Sequence, residues 1–228
     1  MSKGLAGEEF LAILSHELRA PLNGIKSWAH VLENALREPD PLVARAIAGI
    51  QVGVEHQVRL IERLLSVSGD PALDTMPVRL MPLIEDVTES LHALAAEKSL
   101  AIVTKCADPG LTIRADPVRV RQILVNLLDN SIKFTPAGGT VWISAAAQDA
   151  MACIKVRDNG AGIAPEFVPH VFEAFRQGVD GPASRHRVGL GLGLALVRRL
   201  AELQGGHATC ESAGPGQGAT FRVFLPLV

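Results

Sequence analysis

Two runs of helical apolar spacing, separated by a pair of prolines, restrict what this chain can fold into more than any other feature of it. From about Glu8 to Leu36 apolar side chains return every three or four residues, and Glu38-Pro39-Asp40-Pro41 then interrupts the run with prolines that cannot continue a helix. A second run keeps the same step through Val43, Ile47, Ile50, Val54, Val58, Ile61 and Leu65, and ends near Ser68-Gly69-Asp70-Pro71. Two long helices joined by a short turn make an antiparallel hairpin. A lone hairpin leaves its apolar stripe in water, so the pattern predicts that two copies pair into a four-helix bundle, a homodimer.

After residue 70 the periodicity changes. Residues 71–77 read as a linker between a hairpin domain at 1–70 and a second domain at 78–228. Within the latter, Val78 to Met81 is strand-like and Pro82 to Glu97 helical, while Leu100 to Lys105 and Leu111 to Arg114 alternate as short strands. Asp116-Pro117 opens a helix over Val118 to Lys133 as cap and first-turn proline. A hairpin of strands turns around Asp149-Ala150, a long loop spans Gly160 to Val188, and a helix from about Gly191 to Gln204 precedes strands at His207 to Ser212 and Ala219 to Leu225. Strands and helices mix without strict alternation, which predicts an α+β layer and not a doubly wound sheet.

Several partners are disfavoured. A net charge of −2 with both signs interspersed lacks the footprint of a nucleic-acid binder or a polybasic membrane anchor. No apolar run approaches the roughly 20 residues of a membrane span, and the stretch from Met1 to Gly4 has no signal-peptide pattern, so a cytoplasmic chain is expected. Cys106, Cys153 and Cys210 show no metal or disulfide spacing and read as buried free thiols.

Four clusters hold the chemistry-bearing side chains. On the first helix Leu11, Leu14, Leu18, Leu22 and Ile25 fall within about 40° of one line, and His16 lies about 160° away, facing solvent beside Glu17. Alone, such a histidine is equally an ordinary surface residue. On the helix Val118 to Lys133, Asn126, Asn130 and Lys133 project within about 60° of one another, putting two amide oxygens suited to Mg²⁺ beside an ammonium suited to phosphate. Asp158-Asn159-Gly160-Ala161-Gly162 joins a strand end to glycines that admit close backbone approach, with a carboxylate able to accept from an exocyclic amine. Gly189-Leu190-Gly191-Leu192-Gly193 stands where a loop becomes a helix, a place that favours phosphate. Each of the last three is also compatible with a plain polar face, a strand-end turn or a tight loop.

Their order is more specific. Asn126 to Phe134, Asp158 to Gly162, Phe172-Glu173-Ala174-Phe175 and Gly189 to Gly193 resemble the asparagine, first glycine, phenylalanine and second glycine boxes of the ATP-binding domain of sensor histidine kinases. Phe10 to Asn23 resembles their phosphoacceptor box, and the resemblance runs from about Glu8 to Leu227. It implies a dimerising all-α hairpin followed by a two-layer α+β sandwich of the kind shared with type II topoisomerases and an ATP-driven chaperone. It also implies ATP as substrate, with Asn130 holding Mg²⁺ and Asn126 assisting, Lys133 on phosphate, and Asp158 on the adenine amino group. Gly160, Gly162, Gly189, Gly191 and Gly193 would shape the pocket, and Gln177 to Val188 would form a lid that is poorly ordered without nucleotide. His16 would take the γ-phosphoryl group with Glu17 as orienting group or base, and a response regulator would receive it.

Two other readings remain for such a sequence: a nucleotide-binding scaffold without kinase activity, and an ATP-gated clamp ATPase. The first is opposed by the presence of every required side chain, the second by a hairpin that a clamp does not need. Family members that dephosphorylate their regulators usually have Thr or Asn four residues after the histidine, where this chain has Ala20. Weak phosphatase activity is therefore expected. Ala20→Thr should gain activity toward a phosphorylated cognate regulator, and rapid dephosphorylation by the unaltered chain would contradict the assignment.

Overall fold

Apolar residues repeating every three to four positions do form helix in the first part of the chain. In the computed structural model, which describes residues 22–33, 41–43, 45–50, 53–54, 57, 73–106, 108–176 and 191–228, a first helix, α1, is described over 22–33 and a second, α2, at 41–43, 45–50, 53–54 and 57. The chain divides into two units, Met1–Pro71 and Ala72–Val228. His16, Glu17, Ala20, Gly189 and the segment 177–188 lie outside the described residues.

Burial in the first unit follows a seven-residue rhythm. Leu22, Ala29, Ile47 and Val54 are buried, whereas Ile25 at 46%, Leu32 at 49%, Val43 at 41% and Ile50 at 44% exposure form a second set at the same spacing. Ile25 thus departs from the core stripe expected for it. The described apolar positions split into one covered seam and one left in water, joined there by Trp28.

The second unit opens with strand β1 (Met76–Arg79), so the last two residues of the expected linker 71–77 belong to a sheet. Helix begins at once, with α3 (Leu80–Ser90) and α4 (His92–Glu97) replacing the single helix expected over 82–97. Thr88 and Ser90 explain the break: their hydroxyls donate to the carbonyls of Ile84 and Val87 at 2.9 and 2.7 Å, offering the backbone an alternative to helical propagation. There follow β2 (Ala101–Cys106), β3 (Thr112–Ala115), α5 (Pro117–Phe134), β4 (Thr140–Gln148) and β5 (Met151–Asp158). A short 3-10 turn at Val168–His170, α6 (Gly193–Leu203), β6 (His207–Glu211) and β7 (Thr220–Pro226) complete the unit.

Five strands form one sheet in the order β2-β4-β5-β7-β6, parallel between β2 and β4 and antiparallel elsewhere, while β1 and β3 pair separately. Strict alternation sends Val141, Ile143, Ile154, Val156, Phe221, Val223 and Leu225 to one buried face, against which α3, α5 and α6 pack. The other face is open and polar-aromatic. Arg157 sits 5.4 Å from the Trp142 ring across β4 and β5, and His207 stacks on Phe224 at 4.4 Å across β6 and β7. Helices followed by a two-layer α+β sandwich are the fold class that the resemblance implies.

Helix α5 is anchored at both ends by side chains distant in sequence. Asp116 caps it, Oδ1 accepting from Val118 N at 2.9 Å and Arg119 N at 3.2 Å, while its own N–H donates to buried Gln204 Oε1 at 2.8 Å. At the far end Lys98 Nζ donates to the carbonyls of Ile132, Lys133 and Thr135 at 2.8, 2.9 and 3.1 Å. An ammonium there satisfies carbonyls that the helix cannot and meets the negative end of its dipole. Lys98→Met should lower the unfolding free energy by about 1–3 kcal/mol, read as a shifted urea midpoint with an unchanged slope.

Candidate functional site

Because α5 runs unbroken from Pro117 to Phe134, Asn126, Asn130 and Lys133 fall at i, i+4 and i+7 along one side of it. Asn126 is buried, and its Nδ2 donates to Gln122 O at 2.7 Å. That bond fixes the amide and turns Oδ1 outward, where a Cβ added at Gly193 would stand 3.2 Å away. The asparagine helix and the first residue of α6 therefore meet at this oxygen. Asn130 is half-buried one turn on, and the Lys133 ammonium lies 4.7 Å from the Phe134 ring centroid.

The second half of the site is built at the end of β5. Asp158 is 4% exposed; Oδ1 accepts from Gly160 N at 2.9 Å and Ala219 N at 3.2 Å, and Oδ2 from Ser131 Oγ at 3.3 Å. Burial pushes the Asp158 carboxyl above its usual range, opposed by these three donors. The turn after it docks on α5, with Ala161 N donating to Phe134 O at 3.0 Å. Gly162 has φ +68°, and a Cβ there would fall 2.0 Å from Gly214 O, so no other residue fits without displacing the 214–218 loop. Gly216 N to Ala161 O at 2.6 Å and Gly218 N to Gly160 O at 3.2 Å zip the two loops together.

Phe175 N donates to Gly191 O at 3.1 Å. The Phe172 to Phe175 segment is thus joined to the glycine box that precedes α6. Among the described residues, Asn126 of α5 meets Gly193, and Asp158 and Gly160 meet Ser131 and Phe134 near its end, with Asn130 and Lys133 on the same helix, Gly162 against the 214–218 loop and Gly191 against Phe175 and Arg176.

Residues with no conspicuous motif complete the arrangement. Ser131, Lys98 and Gln204 hold Asp158 and the two ends of α5, and none is marked by spacing or composition. The 214–218 loop was also missed, although Gly214, Gly216 and Gly218 within five residues are a signal of a tight turn, and all three have positive φ. The three cysteines are free, as expected, but half-buried. Burial, then the charges of Asp158 and Glu211, push the Cys210 thiol up to about 12, so it stays neutral beside the carboxylate.

Buried acid, outward amide and glycine-flanked helix start correspond to a known family pattern. Residues 115–228 match the family model "Histidine kinase-, DNA gyrase B-, and HSP90-like ATPase", and residues 7–68 match "His Kinase A (phospho-acceptor) domain". The chain belongs to the histidine kinase family. This kinase-family chain is 37% identical to the sensor protein GacS of Pseudomonas syringae pv. syringae over 96% of its own length and 25% of that protein's. It is 38% identical to the circadian input-output histidine kinase CikA of Synechococcus elongatus over 96% of its length and 30% of CikA's. It thus spans about a quarter to a third of those curated relatives. Full-length ShkA in complex with AMPPNP superposes with a TM-score of 0.82 at 34% identity, covering 96% of this chain and 46% of ShkA. No helix among the described residues is long and apolar enough to cross a membrane.

A consequence for stability follows from the buried acid. With its folded-state pKa raised above the ordinary 3.8, Asp158 contributes stability that is present at low pH and lost as pH rises through the folded value. Asn keeps an oxygen for Gly160 N and Ala219 N without the charge. Asp158→Asn should therefore raise the melting temperature of the nucleotide-free chain at pH 7, with the gain shrinking toward pH 4, while protection by added ADP weakens.

Proposed function

We propose that this chain is the catalytic core of a protein histidine kinase that transfers the γ-phosphoryl group of ATP to His16. The observation that supports it most is Asp158, a buried carboxylate secured by three donors and facing the asparagine helix at Ser131. Such a group suits an adenine amine, and the Asn126 amide oxygen turned toward Gly193 suits the Mg²⁺ that a polyphosphate carries.

In the transfer a neutral His16 ring nitrogen attacks the γ-phosphorus in line, the bond to the β-phosphate oxygen breaks, and ADP leaves. Glu17 orients the imidazole and receives the ring proton. Asn130 and Asn126 offer hard amide oxygens to Mg²⁺, which neutralises triphosphate charge when bound. Lys133 contacts phosphate, and Gly160, Gly162, Gly189, Gly191 and Gly193 let the backbone approach the nucleotide. A response regulator aspartate then takes the phosphoryl group, and Ala20, with no hydroxyl or amide to position water, leaves hydrolysis of that aspartyl phosphate to free phosphate weak. The exposed seam of Ile25, Leu32, Val43 and Ile50 favours a homodimer, whose second copy would cover it. Dependence on ATP and a response regulator fits a cytoplasmic setting.

Incubation with Mg²⁺ and γ-labelled ATP tests the reading. Acid-labile, base-stable label that is absent from His16→Gln is expected, with a rate that falls below about pH 6 as the imidazole protonates. ATP binding without any label would favour the scaffold reading, and a rate unchanged down to pH 5 would exclude attack by a neutral imidazole.

A further inference from the structure

The Asp158 carboxylate has about four acceptor directions, and three are occupied. Oδ1 takes the N–H groups of Gly160 and Ala219, and Oδ2 takes one hydroxyl, Ser131 Oγ at 3.3 Å. Ser131 lies in the last turn of α5 and is fully buried. A helical serine ordinarily returns its hydroxyl to the carbonyl four residues earlier. Thr135 behaves this way, donating to Ser131 O at 2.6 Å, whereas the Ser131 hydroxyl crosses to the sheet.

We propose that Ser131 is a positioning residue for base recognition: its hydroxyl holds Asp158 Oδ2 so that one acceptor direction remains, aimed at the exocyclic amine of an adenine nucleotide. This rests on the reading that Asp158 receives that amine. The donors that hold the carboxylate are neutral, two backbone amides on Oδ1 and this hydroxyl, which lowers the pKa least of the three but is the one that holds Oδ2. The neighbouring Cys210 thiol on β6 is neutral and adds no second negative charge.

Loss of the hydroxyl has a specific chemical consequence. An ionised, fixed carboxylate accepts from a 6-amino purine and repels the carbonyl of a 6-oxo purine. Without Ser131 the carboxylate turns more freely and holds a proton more readily, and a protonated carboxyl can donate to the 6-oxo group. The preference between the two bases therefore narrows, which general weakening of the fold would not produce.

Calorimetric titration of the full chain with Mg·ADP and Mg·IDP reads this directly. Ser131→Ala should reduce the ratio of ADP to IDP affinity about five- to tenfold, and Ser131→Cys, of similar size but a weaker donor, should fall between it and the wild type. Equal loss of both nucleotides in Ser131→Ala, or an unchanged ratio, overturns the positioning role. Asp158→Asn separates the two levels. If it abolishes the preference while Ser131→Ala does not, base reading by Asp158 stands and Ser131 has no part in it. If it leaves the preference intact, the amine is read elsewhere and both statements fall.

Discussion

The closure of helix α5 at both ends is what the proposed nucleotide site depends on. A helix leaves four N–H groups and four carbonyls without partners, and frays where nothing replaces them. Here Asp116 takes the first N–H groups and Lys98 three terminal carbonyls, while Phe134 O receives Ala161 N. The same bonds that finish the helix locate its neighbours. Gln204 at the end of α6 accepts from the Asp116 backbone, and the Asp158 turn hangs from Phe134, so helix, glycine turn and second helix share one frame.

Within that frame, stability and the proposed recognition of an amine pull against each other at Asp158. A carboxylate taken out of water resists ionisation, and the site offsets this with dipoles. A cation would hold the charge more firmly, but would also occupy the oxygen that a ligand amine needs. Neutral donors leave the group charged, oriented and still able to accept. Such sites are preorganised at some expense to the fold that houses them.

The features legible from sequence were those set by local rules. Asp116-Pro117 starts α5 because cap and first-turn chemistry act within three residues, and alternation in β4, β5 and β7 shows which face is buried. Asn126, Asn130, Asp158 and the glycines were singled out because type and order repeat a family pattern. Lys98, Ser131 and Gln204 were not, since a lysine after a helix or a serine inside one is unremarkable until the fold supplies its acceptor. The break between α3 and α4 was missed for a related reason: the apolar period continues through Leu91, while the competing hydroxyls of Thr88 and Ser90 leave no mark on it. Ile25 sits on the apolar stripe, yet the period does not say which partner covers which seam.

The chain has two tryptophans and no tyrosine, so its near-ultraviolet emission comes from two indoles alone. They are divided between the units. Trp28 stands 69% exposed among the uncovered residues of the hairpin, and Trp142 lies on the open face of the sheet beneath the Arg157 guanidinium. One indole is thus sensitive to whatever covers the hairpin seam and the other to the register of β4 against β5. The molecule carries a separate optical reporter in each unit, and events in the two can be followed in the same sample without an attached dye.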